Sequence, residues 1–484
     1  MPHRIKLLAA IVLLSTNALW AAYNKKAKSS MIAAIESQHE IYWQAAQQIW
    51  EWAEPGYQEE KSSALLAEFF EKAGFEIQKG VAEIPTAFTA TFGSGKPVIG
   101  VLGEYDALPG LAQEAVTERK KRAGSENGYG HGCGHHMFGV ASAAAALAIA
   151  EQIKSGKLKG TVRFYGTPAE EGGSAKVFIA RAGLFKDCDA VLHWHPGSGN
   201  AAGDPSCLAR IAVKFRFHGQ AAHAAGSPEQ GRSALDAVEI TNHAAQLMRE
   251  HTPDFTRIHH VVTAGGGAPN VVPNFAEVFF YVRHPDATVV KALYKRLLKC
   301  AEAGALATET ELEVEYLGGT HNIIPNDALA QVTLRNLREL NDLSYTEEEA
   351  AFAKQIQETL PNPRPLESIK TVFDASGQVT KGSTDVGDVS WVVPTTGLST
   401  ATWAPGTPAH SWQAVACGGT TLGKKGMMLA AKALAATAWD LYHEPKTLQT
   451  AKEELEKRLE GKTYSAMLEE GQKPPLDYRN APGK

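Results

Sequence analysis

The spacing of hydrophobic positions changes along the chain, and each spacing predicts a different kind of element. Between residues 28 and 75 apolar residues recur three and four positions apart, which is typical of amphipathic helices. Short apolar runs bounded by glycine or proline follow and predict buried strands. These runs cover residues 87–92, 98–102, 161–165 and 190–192. Because an alanine-rich helical run at 138–150 lies among them, we predict an α/β layered domain.

A second arrangement begins at Arg210. Predicted strands and helices follow the order β-α-β-β-α-β over residues 210–325, which is the order of a ferredoxin-like α+β domain. Helical and α/β character then resumes and includes a long predicted helix at 421–442. We therefore predict one large domain in two pieces, residues 23–209 and 326–484, with the smaller domain inserted between them.

The first 22 residues have the pattern of a secretory signal. Arg4 and Lys6 precede an apolar run over residues 7–20, and Ala21 and Ala22 offer a small-residue cleavage point. We predict a cleaved signal peptide over residues 1–22 and a periplasmic or secreted protein, with an uncleaved anchor as the alternative. Since no other apolar run reaches spanning length, we expect no stable membrane span.

Composition adds two limits. The chain has 484 residues and a formal net charge of -5, so charge gives no reason to expect nucleic acid or an anionic membrane as partner. Its five cysteines show no framework spacing, and a chain of this length does not need disulfides for stability. We therefore predict no disulfide bonds.

The first candidate chemistry lies in a glycine-rich stretch, Gly132-Cys133-Gly134-His135-His136. Cys133 and His135 are two metal-ligand types one residue apart. A helix N-terminus lowers the pKa of a nearby thiol, so we expect Cys133 to be available as a thiolate. A buried structural cysteine is the alternative. A nucleotide-binding loop is disfavoured, because the stretch lacks the Rossmann spacing and the P-loop lysine.

Two adjacent carboxylates supply the second candidate. Glu170 and Glu171 follow a predicted buried strand and precede two glycines. Like charges this close repel each other, and a divalent cation offsets the repulsion. We predict that Glu171 binds a metal and that Glu170 is a general base acting on water, with a solvated pair of surface acids as the alternative. Metal-assisted amide hydrolysis needs both parts.

Three histidines and an aspartate extend the site. His193 and His195 lie at the end of a predicted strand, which Pro196 is expected to terminate. We favour His195 as a ligand and expect His193 to be satisfied in the core. His410 is expected to complete the ligands of a two-metal site, with a surface-loop histidine as the alternative. Asp106 is expected to orient a ligating histidine, with a solvated turn residue as the alternative.

Several motifs, in the same order along the chain, resemble the aminoacylase/carboxypeptidase group of di-metal amidohydrolases. They are Gly103-Glu-Tyr-Asp-Ala-Leu-Pro, Gly132-Cys-Gly-His, Glu170-Glu-Gly-Gly, Trp194-His-Pro, Ala221-Ala-His-Ala-Ala, Gly231-Arg-Ser-Ala-Leu-Asp-Ala-Val and Ser383-Thr-Asp-Val-Gly-Asp-Val-Ser-Trp. The resemblance covers nearly the whole chain after Ile35 and is greatest for the branch that hydrolyses p-aminobenzoyl-glutamate. Both this chain and that branch lack the aspartate and second histidine that plant hormone-conjugate hydrolases carry after Cys-Gly-His.

The resemblance implies a catalytic domain with two divalent metal ions, Zn²⁺ or Mn²⁺, and an inserted domain that serves as lid and dimer contact. The implied ligands are Cys133, His135, Glu171, His195 and His410. Glu170 is the implied base, and His223 is implied to reach the partner's active site and polarise the scissile carbonyl. Asn270 and Arg283 are implied to hold the substrate carboxylate; a turn asparagine and a surface-strand arginine are the alternatives.

The expected function is metal-dependent hydrolysis of the amide bond of an N-acyl or N-aroyl amino acid. The resemblance implies p-aminobenzoyl-glutamate or a related folate catabolite as the substrate. An envelope dipeptidase or N-acyl-amino-acid hydrolase of different specificity is one alternative, and a non-catalytic metal- or solute-binding protein is another. We expect a homodimer formed through the lid domain, with a paralogous protein as the alternative partner.

Overall fold

The computed structural model describes residues 24–125, 128–203 and 205–479, and the predicted signal segment lies outside them. The strands are β1 (Glu76–Lys79), β2 (Phe88–Ser94), β3 (Val98–Gly103), β4 (Leu108–Pro109), β5 (Tyr129–Gly130), β6 (Gly160–Gly166), β7 (Ala190–Gly197), β8 (Asn200–Ala202), β9 (Ala209–His218), β10 (Arg257–Ala264), β11 (Phe275–His284), β12 (Glu311–Thr320), β13 (Val372–Asp374) and β14 (Thr395–Ala401). The helices are α1 (24–37), α2 (His39–Trp52), α3 (Glu60–Lys72), α4 (His135–Lys154), α5 (Ala175–Arg181), α6 (Ala234–Arg249), α7 (Ala287–Thr308), α8 (Asp327–Leu340), α9 (Glu347–Glu358), α10 (Val386–Ser390), α11 (Trp412–Gly418), α12 (Thr421–His443) and α13 (Pro445–Leu459).

A mixed sheet forms the centre of the large domain. Its strand order is β1-β2-β6-β3-β7-β14-β8-β13. The inner strands β6, β3, β7 and β14 run parallel to one another, and β3 is buried along its whole length. Parallel strands covered on both faces read as continuous apolar runs, which is why the sequence pattern found β3, β6 and β7. Strand β14 was not predicted, because it is rich in threonine rather than in apolar residues. Their carboxyl ends share one edge of the sheet, where open α/β folds place their ligands.

Helix α4 packs against this sheet and against α12. Its alanine-rich surface lets both neighbours approach closely, and residues on every side of it are buried. In the described part of the chain α4 alone is long and apolar enough to cross a membrane, yet 78% of its most apolar window is buried inside the fold. A helix that is apolar all round and covered by protein is a core helix.

The second sheet belongs to the segment with the β-α-β-β-α-β order. Strands β9, β10, β11 and β12 are antiparallel and follow the order β10-β11-β9-β12, with α6 and α7 packed together beside them. Burial alternates along β11, as expected for a sheet with one covered face. The boundaries of the inserted domain, residues 210 and 325, remain predictions.

The structure differs from the sequence expectations at several strands, since the end of β7 lies further on and strands β1, β4, β5, β8, β13 and β14 were not predicted. Pro196 does not end its strand, because β7 continues through it to Gly197 and pairs with β14 at Thr400 and Ala401. A proline removes one amide donor but leaves its carbonyl and the next residue able to pair. Strand β1 was not predicted; it is a mostly exposed edge strand that lacks a buried apolar run.

After α13 a C-terminal tail, residues 460–479, connects the two sheets. The carbonyl of Met467 accepts the amide of Gly319 in β12 at 2.8 Å. The hydroxyl of Tyr464 donates to Asp388 Oδ1 in α10 at 3.0 Å. The hydroxyl of Tyr478 donates to the carbonyl of Glu171 at 3.1 Å. The tail therefore crosses from the end of β12 to the loop that carries the paired carboxylates.

Candidate metal centre and active-site cleft

Most of the predicted site residues converge at one end of the large sheet, beside a cleft of about 800 Å³. Five strands, helices or loops supply them, which explains why distant sequence positions meet. Asp106 follows β3, Glu170 follows β6, His195 lies near the end of β7, and His135 begins α4. His410 comes from the loop before α11, and its backbone amide donates to the carbonyl of Gly132 at 2.9 Å.

Cys133, His135 and His195 form the first group of possible metal ligands. One atom from each lies within 4.8 Å of the others. Cys133 Sγ is 3.2 Å from His195 Nε2. Asp106 Oδ1 is 2.8 Å from His135 Nδ1, so the other ring nitrogen of His135 is left for a ligand. Asp106 therefore lies where a residue that orients a ligating histidine must lie.

Cys133, Glu171 and His410 form a second group with the same spacing. Glu171 Oε1 is 3.0 Å from His410 Nε2, and the Glu171 amide donates to Asp106 Oδ2 at 2.8 Å. Burial raises the pKa of Glu171, but the close approach of His410 and the nearby His135 lower it more, so its pKa lies below 4.5.

The backbone is strained around these residues. His410 has φ of 57°, and Ala169 and Ser174, which flank the paired carboxylates, have φ of 53° and 55°. Each is a non-glycine residue in the left-handed region, which costs free energy and persists only where the surroundings hold it. Such strain is concentrated at functional sites. Here the strained backbone sets the positions from which the Glu171 and His410 side chains project.

Glu104, His135 and Glu170 form a third group. Burial raises the pKa of Glu170 well above 4.5, and the charges of Glu104, Glu171 and Asp385 raise it further. A carboxyl with a raised pKa can both accept and return a proton near neutral pH. The predicted base thus lies among the candidate ligands and lines the cleft.

Glu104 and its partners were not predicted from the sequence. Lys176 is fully buried, and its ammonium lies 2.7 Å from Glu104 Oε1 and 2.7 Å from Asp385 Oδ1. Burial lowers the pKa of Lys176, but the two carboxylates and Glu170 raise it more, so the lysine stays charged. A signal was available, since Glu104 is two residues before Asp106 at the same strand end. Nothing in the local sequence pairs Lys176 with Asp385.

The expectation that the start of α4 lowers the pKa of Cys133 is wrong. Burial raises the pKa of Cys133 well above 9.0, and the charge of Glu171 raises it further. The start of α4 does not outweigh these effects, because the thiol is buried beside carboxylates. A nearby cation would reverse the balance, since a coordinating thiol loses its proton. Burial also lowers the pKa of His195 to about 4, which keeps its imidazole neutral and able to bind a metal.

The donor set fits divalent cations. Glu104 Oε2, His135 Nε2 and Glu171 Oε1 are buried and have no hydrogen-bond partner among the described residues. Buried polar atoms of this kind normally have a partner, and leaving them unpaired costs free energy. Carboxylates also outnumber the one buried ammonium at the site. Metal ions bound there would satisfy these atoms and offset the excess negative charge.

Two of the other histidines have structural surroundings. His131 Nε2 is 3.0 Å from the carbonyl of Ile49, and His136 Nε2 is 3.1 Å from that of Gly418. His193 is different: its ring lines the cleft, and its Nε2 is buried without a hydrogen-bond partner in the described chain. The expectation of a satisfied core histidine is therefore wrong for His193. Burial lowers its pKa to about 3, so the ring is neutral.

Arginines also form part of the cleft wall. Arg210 and Arg283 lie over the ring of Tyr281, with guanidinium carbons 4.9 and 5.3 Å from its centre. Arg479, from the C-terminal tail, lines the same cleft. The Nε atoms of all three are buried and lack a hydrogen-bond partner among the described residues. Arg283 is thus not a surface-strand arginine, and this wall offers donors to an anionic ligand.

His223 and Asn270 do not line this cleft. They lie together, since the amide of Ala224 donates to the carbonyl of Asn270 at 2.9 Å. His223 Nδ1 accepts the amides of Ala225 and Gly226 at 3.2 and 3.0 Å. A neutral ring with Nδ1 accepting carries its proton on Nε2, which leaves this donor free for a ligand.

Comparison with known proteins assigns the class. The model of peptidase family M20/M25/M40 matches residues 100–360, and the chain belongs to this family. It is therefore a hydrolase that acts on amide bonds, as predicted. The chain is 40% identical to the B subunit of p-aminobenzoyl-glutamate hydrolase from Escherichia coli (strain K12), over 87% of this chain and 93% of that protein. It is 30% identical to Xaa-Arg dipeptidase of Homo sapiens, over 87% and 90%.

Solved structures support the fold. A dinuclear metal binding peptidase of the M20 family from Bacillus subtilis has a TM-score of 0.57 at 17% identity, over 84% of this chain and 99% of that chain. An aminobenzoyl-glutamate utilization protein from Klebsiella pneumoniae has a TM-score of 0.55 at 19% identity, over 87% and 98%. The predicted α/β fold is confirmed.

Proposed function

We propose that this protein hydrolyses the amide bond of an N-aroyl or N-acyl amino acid, with glutamate as the preferred amino acid. We name p-aminobenzoyl-glutamate or a related folate catabolite as the substrate. The observation that carries this proposal is the 40% identity to the B subunit of p-aminobenzoyl-glutamate hydrolase over 87% of the chain. The positions of Arg210, Arg283 and Arg479 in the cleft support it, because Nε donors that lack a partner among the described residues suit the carboxylates of a glutamyl group.

The proposed cofactor is a pair of divalent metal ions held by Cys133, His135, Glu171, His195 and His410. The dinuclear peptidase of similar fold supports two ions, and the three groups of neighbouring donors support these ligands. The thiol favours Zn²⁺, whereas the carboxylate and imidazoles also suit Mn²⁺. Such ions, when bound, activate water and polarise a carbonyl oxygen.

The chain's own groups then divide the work. Glu170 takes a proton from the attacking water and returns it to the leaving nitrogen, and its raised pKa suits both transfers. Asp106 fixes His135 through Nδ1, so that Nε2 stays directed into the site. Arg283 and Arg210 hold the substrate carboxylates, and Ser383, which accepts from Arg283 Nη1 at 3.1 Å, keeps that guanidinium in place.

A second copy of the chain, or a paralogous protein, completes the proposed site. His223 and Asn270 lie outside this chain's own cleft, and the Nε2 proton of His223 suits donation to a scissile carbonyl oxygen of a partner-bound substrate. We propose that the segment from β9 to β12 acts as the lid and dimer contact. A paralogous partner has a parallel among the relatives, because both the A subunit and the B subunit of the Escherichia coli hydrolase are similar to this chain.

Dipeptide hydrolysis is the second candidate, because the Xaa-Arg dipeptidases are 30% identical to this chain. An arginine side chain in the substrate would need an unpaired carboxylate in the pocket that receives it. Asp385, one carboxylate of the cleft, is already paired with Lys176, while the three arginines that line the cleft keep Nε donors without a partner among the described residues. These charges favour an acidic amino acid.

The test compares substrates and one variant. The metal-loaded protein is assayed with p-aminobenzoyl-glutamate, acetyl-glutamate, and dipeptides ending in arginine or lysine. We expect the highest kcat/KM for p-aminobenzoyl-glutamate, and a preference for the dipeptides would favour the second candidate function instead.

Glu170→Gln is expected to lower kcat by roughly 10²–10⁴-fold with its metal content unchanged. The exposed Glu367→Gln is the matched control, and near-normal turnover by the Glu170 variant would remove the base assignment.

A further inference from the structure

Glu104 has a side chain whose two oxygens face different neighbours. It follows β3 and is 1% exposed. Oε1 lies 2.7 Å from the ammonium of Lys176. Oε2 is 3.0 Å from His135 Nε2, yet it has no hydrogen-bond partner among the residues that the structure describes. A carboxylate kept only for an ion pair with Lys176 gains nothing from burying its second oxygen unpaired.

The position of Oε2 matches that of a metal ligand. His135 Nδ1 is taken by Asp106, so Nε2 is the nitrogen left to bind a cation. Two donors that bind one ion at about 2.1 Å each lie about 3.0–3.4 Å apart, for angles between a right angle and the tetrahedral angle. Glu104 Oε2 and His135 Nε2 have this separation, and so have Glu171 Oε1 and His410 Nε2.

Lys176 and Asp385 fix the orientation of Glu104. The ammonium of Lys176 bridges Glu104 Oε1 and Asp385 Oδ1 at 2.7 Å each. Asp385 Oδ2 also accepts the backbone amide of Lys176 at 3.0 Å, which anchors the aspartate to the start of α5. With Oε1 held in this way, Glu104 cannot turn Oε2 away from the site. Partners that orient a ligand in this manner strongly affect metal affinity.

We propose that Glu104 is a sixth protein ligand of the metal centre and binds, through Oε2, the same ion as His135. Lys176 and Asp385 are positioning residues for it. This inference rests on the metal-dependent function proposed above and adds a ligand to that centre. It also separates the acids around His135 by role: Glu104 holds an ion, Asp106 orients the histidine, and Glu170 is left to move a proton.

The solution test measures metal binding by Glu104→Gln, which keeps the size of the side chain and an acceptor for Lys176. Metal content is measured after dialysis, and titration calorimetry uses Zn²⁺ or Mn²⁺ alone. We expect loss of one ion, or an affinity for it lower by roughly 10–100-fold, with the other ion retained. The buried Glu349→Gln on α9 is the matched control and is expected to bind both ions as the unaltered protein does.

A second measurement needs no variant. In crystals of the metal-loaded protein, anomalous scattering locates the ions, and we expect Glu104 Oε2 within bonding distance, about 2.0–2.2 Å, of one of them. An ion bound to His135 but not to Glu104, or two ions held by the Glu104 variant with unchanged affinity, would overturn the inference alone. Failure of the unaltered protein to bind metal or hydrolyse any amide tested would instead overturn the proposed function.

Discussion

At the scale of single residues, the absence of a side chain at position 397 decides where His193 lies. A Cβ atom on Gly397 would lie 2.3 Å from the His193 ring, which is far inside van der Waals contact. His193 is paired with Gly397 across β7 and β14, and its ring lines the cleft. The glycine therefore leaves room for the His193 ring in the cleft wall.

Gly397→Ala tests this close approach. We expect the variant to be less stable by about 1–3 kcal/mol, because the added methyl must displace a buried ring. Urea unfolding measures the change. Gly199→Ala is the matched control, since a Cβ there meets no heavy atom within 4 Å. Equal stability of the two variants would show that the His193 ring moves aside without cost.

The chemistry of single residues was predictable where the residues that act together are close in sequence. Cys133 with His135, and Glu170 with Glu171, were found because each pair is adjacent or nearly so. Glu104 was missed because its significance depends on Lys176, a contact across many residues. The pKa of Cys133 was predicted wrongly, because the sequence shows the helix start but not the depth of burial.

At the scale of elements, α9 begins with a capping box that also reaches α12. Thr346 caps the helix through the amide of Glu349, and Glu349 accepts the amide of Thr346 at 2.8 Å. Lys425 of α12 forms an ion pair with the same carboxylate. Burial raises the pKa of Glu349, but Lys425 and the Thr346 amide lower it more, so it lies below 4.5.

Glu349→Gln is therefore expected to lower the free energy of unfolding by about 1 kcal/mol at neutral pH. A carboxyl whose pKa is lower in the folded chain stabilises the fold above its unfolded pKa, and this contribution disappears as the pH falls through the folded value. The difference between the two proteins should shrink below about pH 4.5. Urea unfolding across this range measures it, and a difference independent of pH would contradict the ionic origin.

Most elements were predictable because their hydrophobic spacing is regular. The strands of the second sheet and helices α4 and α12 were found with small errors at their ends. The end of β7 was predicted wrongly, because the effect of Pro196 depends on which neighbour needs its amide, and the sequence does not show the pairing with β14. The contacts of the C-terminal tail could not be predicted, since they are hydrogen bonds from scattered tyrosines.

At the scale of the whole molecule, the candidate metal centre links parts of the chain that are far apart in sequence. The donors come from the ends of two sheet strands, the start of α4, the loop after β6 and the loop before α11. Ions bound to all of these would stabilise the folded chain relative to the unfolded one, because the full donor set exists only in the fold.

Chelation is accordingly expected to lower the unfolding temperature. Free metal at about 100 times its dissociation constant adds about 2.7 kcal/mol, which corresponds to a shift of a few degrees in a chain of this size. Calorimetry before and after chelation, and after metal is restored, measures it. The shift should be smaller for Cys133→Ser, whose hydroxyl is a poorer ligand. An unfolding temperature insensitive to chelation would contradict the predicted coupling.

The assembly was the least predictable part. His223 and Asn270 were assigned roles by resemblance, and in one chain they lie outside the cleft. No hydrophobic pattern within a single sequence shows which surface meets a second chain, because interfaces are about as apolar as other surfaces. Their proposed roles therefore depend on the partner.

The buried ion pairs of Lys176 with Glu104 and Asp385 constrain how this chain can diverge over generations. Replacing Lys176 alone would leave two buried carboxylates without their cation, and breaking a buried pair in this way typically costs about 3–5 kcal/mol. Such a loss is a large part of a protein's total stability. Descendants are therefore expected to keep Lys176 as long as both carboxylates are present, and a lineage that has lost the lysine should carry a compensating change beside it.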